Sequence, residues 1–147
     1  MAEVKATAER VIDKPSDAVY AALADYAGTR AGILPENYSE YEVLAGGTGA
    51  GTKVHWKLQA TKKRVRDCLL EVTEPAPRTL VETDANSTMV TTWTVTPQGE
   101  AASAVHVQTT WQGAGGVAGF FEGTFAPLGL RRIHTATLDK LAATVRS

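Results

Sequence analysis

Two predicted strands and the turn between them occupy residues 79–97, TLVETDANSTMVTTWTVTP. Apolar and polar side chains alternate on both sides of the turn signal ANS at 85–87, which is the period of a strand with one buried face. The same period runs from Ser39 to Trp111, punctuated by GGTGAG at 46–51, TKK at 61–63, PAP at 75–77 and PQGE at 97–100. This segment therefore predicts six strands that are joined as consecutive hairpins.

A short helical pattern lies between the first strand and this meander. Residues 3–12 predict a first strand, and Ser16, which follows Pro15, favours the N-cap of a short helix that ends near Gly28. Apolar residues recur at helical spacing along that helix: Val19, Ala22, Leu23 and Tyr26. Residues 32–37 predict either a loop or a broken second helix.

A long C-terminal helix is predicted over about 117–146, after a glycine-rich hinge at 113–116. Pro127 predicts a kink or break near Ala126, because proline cannot donate the helical hydrogen bond. The apolar face carries Leu130, Ile133, Thr137, Leu138, Leu141 and Val145, and the opposite face carries Arg131, Arg132, Asp139 and Lys140. The chain thus predicts an α+β fold, with a seven-stranded antiparallel sheet, one or two short helices between strands 1 and 2, and a long C-terminal helix.

Composition limits the classes of protein to consider. The 147 residues are 44% hydrophobic and 21% charged, which is typical of one globular domain, here expected over residues 1–147. A formal net charge of −1 argues against nucleic acid as a partner. A single cysteine excludes an intrachain disulfide framework, and we find neither a bilayer-spanning run nor a secretory leader. We therefore expect a cytoplasmic protein without stable membrane insertion, as a monomer or weak homodimer.

This order of elements is similar to the helix-grip fold of the START-like superfamily, the polyketide cyclase/dehydrase-like or SRPBCC family. The resemblance covers nearly the whole chain and rests on the terminal helix and on VIDKPSDAVYAALADY (11–26), GGTGAGTKVHWKL (46–58) and MVTTWTVTP (89–97). These segments carry no catalytic signature. The resemblance implies a curved sheet around the long helix, with a cavity for an apolar or amphipathic small molecule, but no fixed reaction.

Turn positions predict which side chains face that cavity, because directly opposed residues of antiparallel strands share a face. A turn at Thr61 and Lys62 would place Trp56 opposite Asp67, Leu58 opposite Val65 and Val54 opposite Leu69, all pointing inward. The next hairpins place Glu82 opposite Thr91 and Leu80 opposite Trp93, and they set Trp93 and Val95 against Val105 and Val107. The expected cavity residues are Tyr26, Tyr41, Trp56, Leu58, Asp67, Leu69, Glu82, Asp84, Met89, Trp93, Val107, Thr109, Trp111, Phe121 and Phe125.

This register brings three acids, Asp67, Glu82 and Asp84, onto the concave face. An unpaired buried carboxylate is costly, so each must be hydrated, paired, protonated or used in chemistry. One interpretation is that they lie at a wide, wet end of the cavity, or that a bulge turns one of them outward. The other is that they recognise a polar group or transfer protons on a ligand whose apolar body contacts the tryptophans.

Other motifs predict no metal site and no cofactor. His55, His106 and His134 share no ligand spacing with Cys68 or a carboxylate; we expect the first two on the sheet surface and His134 on a helix flank. Cys68 is interpreted as a packing residue without a paired base. GGTGAG joins two strands instead of a strand and a helix, so it predicts a hairpin turn and not a dinucleotide site.

Two functions follow as hypotheses. The first is a binding or carrier protein for an apolar, aromatic or lipid-like small molecule, which needs no reactive group. The second is a polyketide cyclase or dehydratase in which Asp67, Glu82 or Asp84 moves a proton while the pocket folds the substrate. A third class, a module that docks through its sheet edge or helix, has no positive support in the sequence. Whether the chain is an enzyme stays open at this point.

Overall fold

The meander forms one antiparallel sheet in the structure of the protein, a computed structural model that describes residues 3–61, 64–112 and 116–146, with side chains at 3–59, 65–112 and 128–145. Its elements are β1 (Glu3–Ile12), α1 (Ser16–Ala24), α2 (Thr29–Gly32), β2 (Tyr38–Ala45), β3 (Lys53–Thr61), β4 (Arg64–Ala76), β5 (Thr79–Asp84), β6 (Val90–Pro97), β7 (Ser103–Gln112) and α3 (Gly116–Arg146). The strand order is β1-β7-β6-β5-β4-β3-β2. The predicted helix-grip fold, a curved seven-stranded sheet with a long C-terminal helix, is confirmed.

The long helix α3 lies against the sheet through the face that the sequence predicts. Leu130, Ile133, Leu138 and Leu141 are buried, whereas the predicted opposite face, which includes Arg131 and Arg132, is exposed. The helix is continuous from Gly116 to Arg146, so the break that Pro127 predicts is absent from the backbone. No helix in the described part of the chain is long and apolar enough to cross a membrane.

Between β1 and β2, the two short helices form a corner. The helix α1 begins at Ser16 itself, with Pro15 in the cap position and no side-chain cap hydrogen bond, so Ser16 is not the N-cap that we predicted. The helix α2 covers 29–32, earlier in the chain than the predicted broken helix. Asp25 joins the two helices: its carboxylate accepts hydrogen bonds from the backbone N–H and the hydroxyl of Thr29, both at 3.0 Å. These bonds lower the pKa of Asp25 and fix the residues that follow α1.

The GGTGAG segment is a hairpin turn, as predicted, and it also holds the helical corner. Gly49 donates its N–H to Ala24 O at 2.9 Å, and Gly47 O accepts the N–H of Ala27 at 3.0 Å. Gly46 requires glycine, because its φ is +69° and an added Cβ would lie 2.8 Å from the Thr52 Cα. The loop therefore fixes the α1–α2 corner above one end of the sheet.

The strand register agrees with the prediction in the second half of the meander. Glu82 pairs with Thr91 and Leu80 pairs with Trp93 across β5 and β6. Trp93 pairs in turn with Val107 across β6 and β7. These side chains are buried, so the inward face of the last three strands follows from the sequence pattern.

In the β3–β4 hairpin the register differs by one residue from our prediction. Trp56 lies opposite Cys68, Leu58 opposite Arg66 and Val54 opposite Leu70, because an irregularity between Gln59 and Thr61 shifts the pairing. A one-residue slip exchanges the two faces of a strand. Asp67 and Leu69, which we predicted to face the cavity, are therefore on the outer face, opposite Lys57 and His55. The bulge that turns one acid outward, one of the two interpretations of the acidic cluster, is therefore found at Asp67.

Candidate functional site

A small cavity of about 20 Å³ lies between the concave face of the sheet and α3. Its volume is enough for the centre of about one water molecule. Its lining residues come from α2, from the six strands β2 to β7, from the β5–β6 turn and from α3. They are Arg30, Tyr38, Trp56, Leu58, Leu70, Glu82, Met89, Thr91, Trp93, Thr109, Leu130 and His134.

Six of the predicted cavity residues line this space: Trp56, Leu58, Glu82, Met89, Trp93 and Thr109. Four others lie in or beside the core without reaching the cavity wall: Tyr26, Tyr41, Val107 and Trp111. The side chains of Phe121 and Phe125 lie outside the described residues.

The three predicted acids have three different environments. Asp67 is on the outer face, where its side chain is 56% exposed and its Oδ1 lies 2.5 Å from His55 Nε2. This hydrogen bond raises the pKa of His55. Asp84 is buried, but it serves the β5–β6 turn: its carboxylate accepts hydrogen bonds from the backbone N–H groups of Leu69 and Asn86 and from the Ser87 hydroxyl. Only Glu82 of the three lines the cavity.

Glu82 forms a buried ion pair with Arg30, a residue that our sequence analysis did not select. Arg30 Nη2 lies 2.7 Å from Glu82 Oε2, and both side chains are at most 2% exposed. The same oxygen accepts the Tyr26 hydroxyl at 2.5 Å, and Oε1 accepts Trp93 Nε1–H at 3.0 Å. The carboxylate is thus held by three donors, which lie in the α1–α2 turn, in α2 and in β6.

The Arg30 guanidinium is held as firmly as its partner. Nη1 donates to Leu23 O at 3.1 Å, and the guanidinium carbon lies 4.6 Å from the Tyr26 ring centre and 4.9 Å from the Trp93 ring centre. Burial alone would disfavour the Arg30 cation, but the adjacent Glu82 carboxylate outweighs burial and raises the pKa of Arg30. Burial and Glu82 also raise the pKa of Tyr26, so its hydroxyl stays protonated as a donor.

On the α3 side of the cavity, His134 ends a chain of hydroxyl groups. Its Nε2 lies 2.7 Å from Thr109 Oγ1, which lies 2.7 Å from Thr91 Oγ1. Burial, with a smaller effect from the Arg30 charge, lowers the pKa of His134 to about 4, so the imidazole is neutral at pH 7. The structure thus contradicts our prediction that His134 lies on a helix flank: the side chain is only 3% exposed.

Chain periodicity could have identified His134, because it lies four residues from both Leu130 and Leu138 on the apolar face of α3. Arg30 has a weaker signal. A cation is one of the partners that can stabilise a buried Glu82, but the sequence contains 15 Lys and Arg residues and does not indicate which one reaches it.

Cys68 and the possible metal ligands add no further chemistry to the site. Burial raises the pKa of the Cys68 thiol to about 12, so it is protonated and unsuited to nucleophilic attack at pH 7. No group of three or more His, Cys, Asp or Glu side chains within the described ranges could hold a metal ion.

The chain is similar to known proteins in both sequence and fold. A profile of the polyketide cyclase/dehydrase and lipid transport family matches residues 3–146. A search of curated proteins finds no significant match. The NMR structure of the KanY protein is 52% identical over 100% of both chains, with a TM-score of 0.90.

More distant solved structures share the fold. The Zhui aromatase/cyclase from Streptomyces sp. R1128 is 14% identical, with a TM-score of 0.78, over 99% of this chain and 94% of its own. The protein TTHA0849 from Thermus thermophilus is 20% identical, with a TM-score of 0.80, over 96% of both chains. At these identities the similarity shows the helix-grip fold alone.

Proposed function

Because the chain belongs to the polyketide cyclase/dehydrase and lipid transport family, we propose that it is a small-molecule binding protein whose ligand lies between the concave face of the sheet and α3. The observation that carries this proposal is the polar cluster at the cavity: Arg30, Glu82 and His134 are buried among aromatic side chains. A core needed only for stability avoids such groups, because burying them costs free energy. Aromatic walls with a few fixed polar groups are typical of ligand sites.

The aromatic wall favours a ligand with a flat, apolar body. Trp56 contacts Tyr41 in a stacked arrangement at 5.8 Å between ring centres, and Tyr38 meets Trp56 edge-on at 5.5 Å. Trp93 lies on the other side of the cavity, edge-on to His134 at 5.9 Å. Rings in such a wall pack against an aromatic ligand in stacked or edge-to-face geometry.

Binding requires that the cavity expand. A drug-sized ligand occupies a pocket of roughly 300–1,000 Å³, far more than the 20 Å³ between the described walls. We therefore expect α3 to move away from the sheet on binding. Amide chemical shifts of α3 and of β3–β6 should change together when a two-ring ketone such as 2-acetylnaphthalene is added.

We expect Leu130→Trp to abolish this binding. Leu130 projects from α3 into the cavity, and a larger side chain there would occupy the volume that the ligand needs, at a cost of about 1–3 kcal/mol in stability. The matched control is Leu128→Trp, the same change two residues earlier on the same helix, at a position that is 62% exposed.

The test is a titration of both variants and of the wild type with 2-acetylnaphthalene, followed by ¹H–¹⁵N NMR. Loss of affinity in Leu130→Trp alone supports the proposal. Equal affinity in all three proteins would place the ligand elsewhere, and no binding of neutral two- and three-ring ketones or phenols to the wild type would contradict the function.

A cyclase or dehydratase is the alternative function, and one observation favours it. His134 is neutral and lines the cavity, and its Nδ1 has no hydrogen-bond partner within the described residues. When Nε2–H donates to Thr109, Nδ1 can take a proton from a carbon between two carbonyls. The carbanion then bonds to the carbon of another carbonyl group farther along the substrate. The imidazolium returns the proton to the alkoxide that forms there. A pKa near 4 makes this base weak, which is why binding is our first proposal.

Turnover measurements separate the alternative from simple binding. If the protein cyclises a poly-β-ketone, His134→Gln should lower the rate by about 10²-fold or more, whereas Asp67→Asn on the outer face should leave it unchanged. Cyclised product is measured by liquid chromatography and mass spectrometry. An unchanged rate in folded His134→Gln would exclude His134 as the base.

A further inference from the structure

Among the residues that the structure describes, three that line the cavity have a buried polar atom without a hydrogen-bond partner. Arg30 Nε and His134 Nδ1 have no hydrogen-bond partner among the residues that the structure describes, and both residues line the same cavity. Trp56 Nε1 is also unpaired, but its residue lies opposite Cys68, whose thiol is a weak acceptor. An unsatisfied buried donor costs about 1–3 kcal/mol, so these atoms indicate where a ligand atom, or a water molecule that it displaces, is bound.

The chemistry of Arg30 Nε and His134 Nδ1 indicates that their missing partner is an oxygen atom. Arg30 Nε carries a hydrogen and can only donate. His134 Nδ1 donates or accepts according to which ring nitrogen carries the proton, and the Thr109 hydroxyl at Nε2 is compatible with both forms. A ketone oxygen can accept from either atom, and a hydroxyl can accept from Arg30 or donate to His134.

The charges of the residues around the cavity then restrict which kind of oxygen group can bind there. Among the described residues that line the cavity, Arg30 and Glu82 carry a charge, and the two charges cancel. His134 stays neutral because burial opposes its protonation. A carboxylate or phosphate placed beside them would leave one buried negative charge uncompensated, close to Glu82, and would lose its hydration.

We propose that this cavity selects a ligand with a neutral oxygen head group, a ketone, phenol or enol, and rejects ligands with a carboxylate or phosphate head group, fatty acids and phospholipids included. The inference rests on the proposed binding function and narrows its ligand class. Arg30, which would ordinarily indicate an anion site, is here neutralised within the protein by Glu82.

The test compares two ligands of nearly the same shape, 2-acetylnaphthalene and 2-naphthoate, by NMR titration of the wild-type protein at pH 7. We expect the carboxylate to bind at least about 10-fold more weakly, which corresponds to roughly 1.4 kcal/mol. Equal or tighter binding of 2-naphthoate would overturn this inference and leave the binding function intact. Binding of neither compound would overturn both.

Glu82→Gln provides the second test, because it removes the charge that neutralises Arg30 and keeps the size of the side chain. The folded variant should reverse the preference and bind 2-naphthoate more tightly than 2-acetylnaphthalene. Asp67→Asn, which removes a carboxylate from the outer face, is the matched control and should keep the wild-type preference. An unchanged preference in folded Glu82→Gln would contradict the charge argument. If that variant does not fold, the wild-type comparison alone decides the question.

Discussion

Replacing Arg30 with methionine should lower the free energy of unfolding by about 3–5 kcal/mol, because the change leaves the buried Glu82 carboxylate without its counter-ion. Methionine fills most of the space of the arginine stem, so the loss arises mainly from charge and hydrogen bonding. Urea denaturation at pH 7, with the wild type measured in parallel, gives the value. A loss below about 1 kcal/mol would show that Glu82 is not buried against Arg30 as described.

Two further variants test the origin of that loss. The double variant Arg30→Met with Glu82→Leu should recover much of the stability, since a buried ion pair that is replaced by apolar groups is often neutral or better. Lys57→Met breaks an exposed pair instead: Lys57 Nζ lies 2.6 Å from Glu40 Oε2, and both side chains are at least 40% exposed. It should change stability little, because solvent screens such pairs.

Stability should also fall as the pH is lowered from 7 to 4, by roughly 3 kcal/mol more in the wild type than in His134→Leu. The pKa of His134 is about 4 in the folded protein and 6.5 in its unperturbed form, and each pKa unit corresponds to about 1.4 kcal/mol. Between these values the unfolded chain binds a proton that the folded chain does not. The contribution of His134 to stability is therefore complete above pH 6.5 and lost as the pH falls towards 4.

The measurement is urea denaturation of both proteins at pH 7, 6, 5 and 4. Subtracting the two curves removes contributions that both proteins share, such as those of Asp25 and Glu74, whose pKa values are lowered and which weaken the fold in more acidic solution. An NMR titration of the His134 ring gives its folded pKa directly. Parallel curves for the two proteins, or a ring that titrates near 6.5, would contradict the buried position of His134.

Much of the architecture was predictable because it depends on local patterns. Alternating side chains and turn residues give the strands, and helical spacing gives the buried face of α3. The pairing of Glu82 with Thr91 and of Trp93 with Val107 follows from the turns between them. Each of these features depends on residues that are close in sequence or on a short hairpin.

The candidate site was only partly predictable, because two of its main features depend on contacts between distant residues. Turn residues do not fix the register of β3 and β4: an irregularity beside Gln59 moves Asp67 to the outer face. The sequence also placed Glu82 inside without a counter-ion, since Arg30 reaches it across 52 positions of the chain.

The sequence by itself determined the strands, α1 and α3, the inward face of β5–β7 and the cost of a buried acid, because these follow from side-chain periodicity and from the free energy of burying charge. Only the tertiary structure decided which acid lines the cavity, which cation neutralises it, and that His134 and the two threonines meet there. Those outcomes depend on how the α1–α2 corner and α3 pack on the sheet. Packing brings together residues that are far apart in the sequence, and no local pattern predicts that they are in contact.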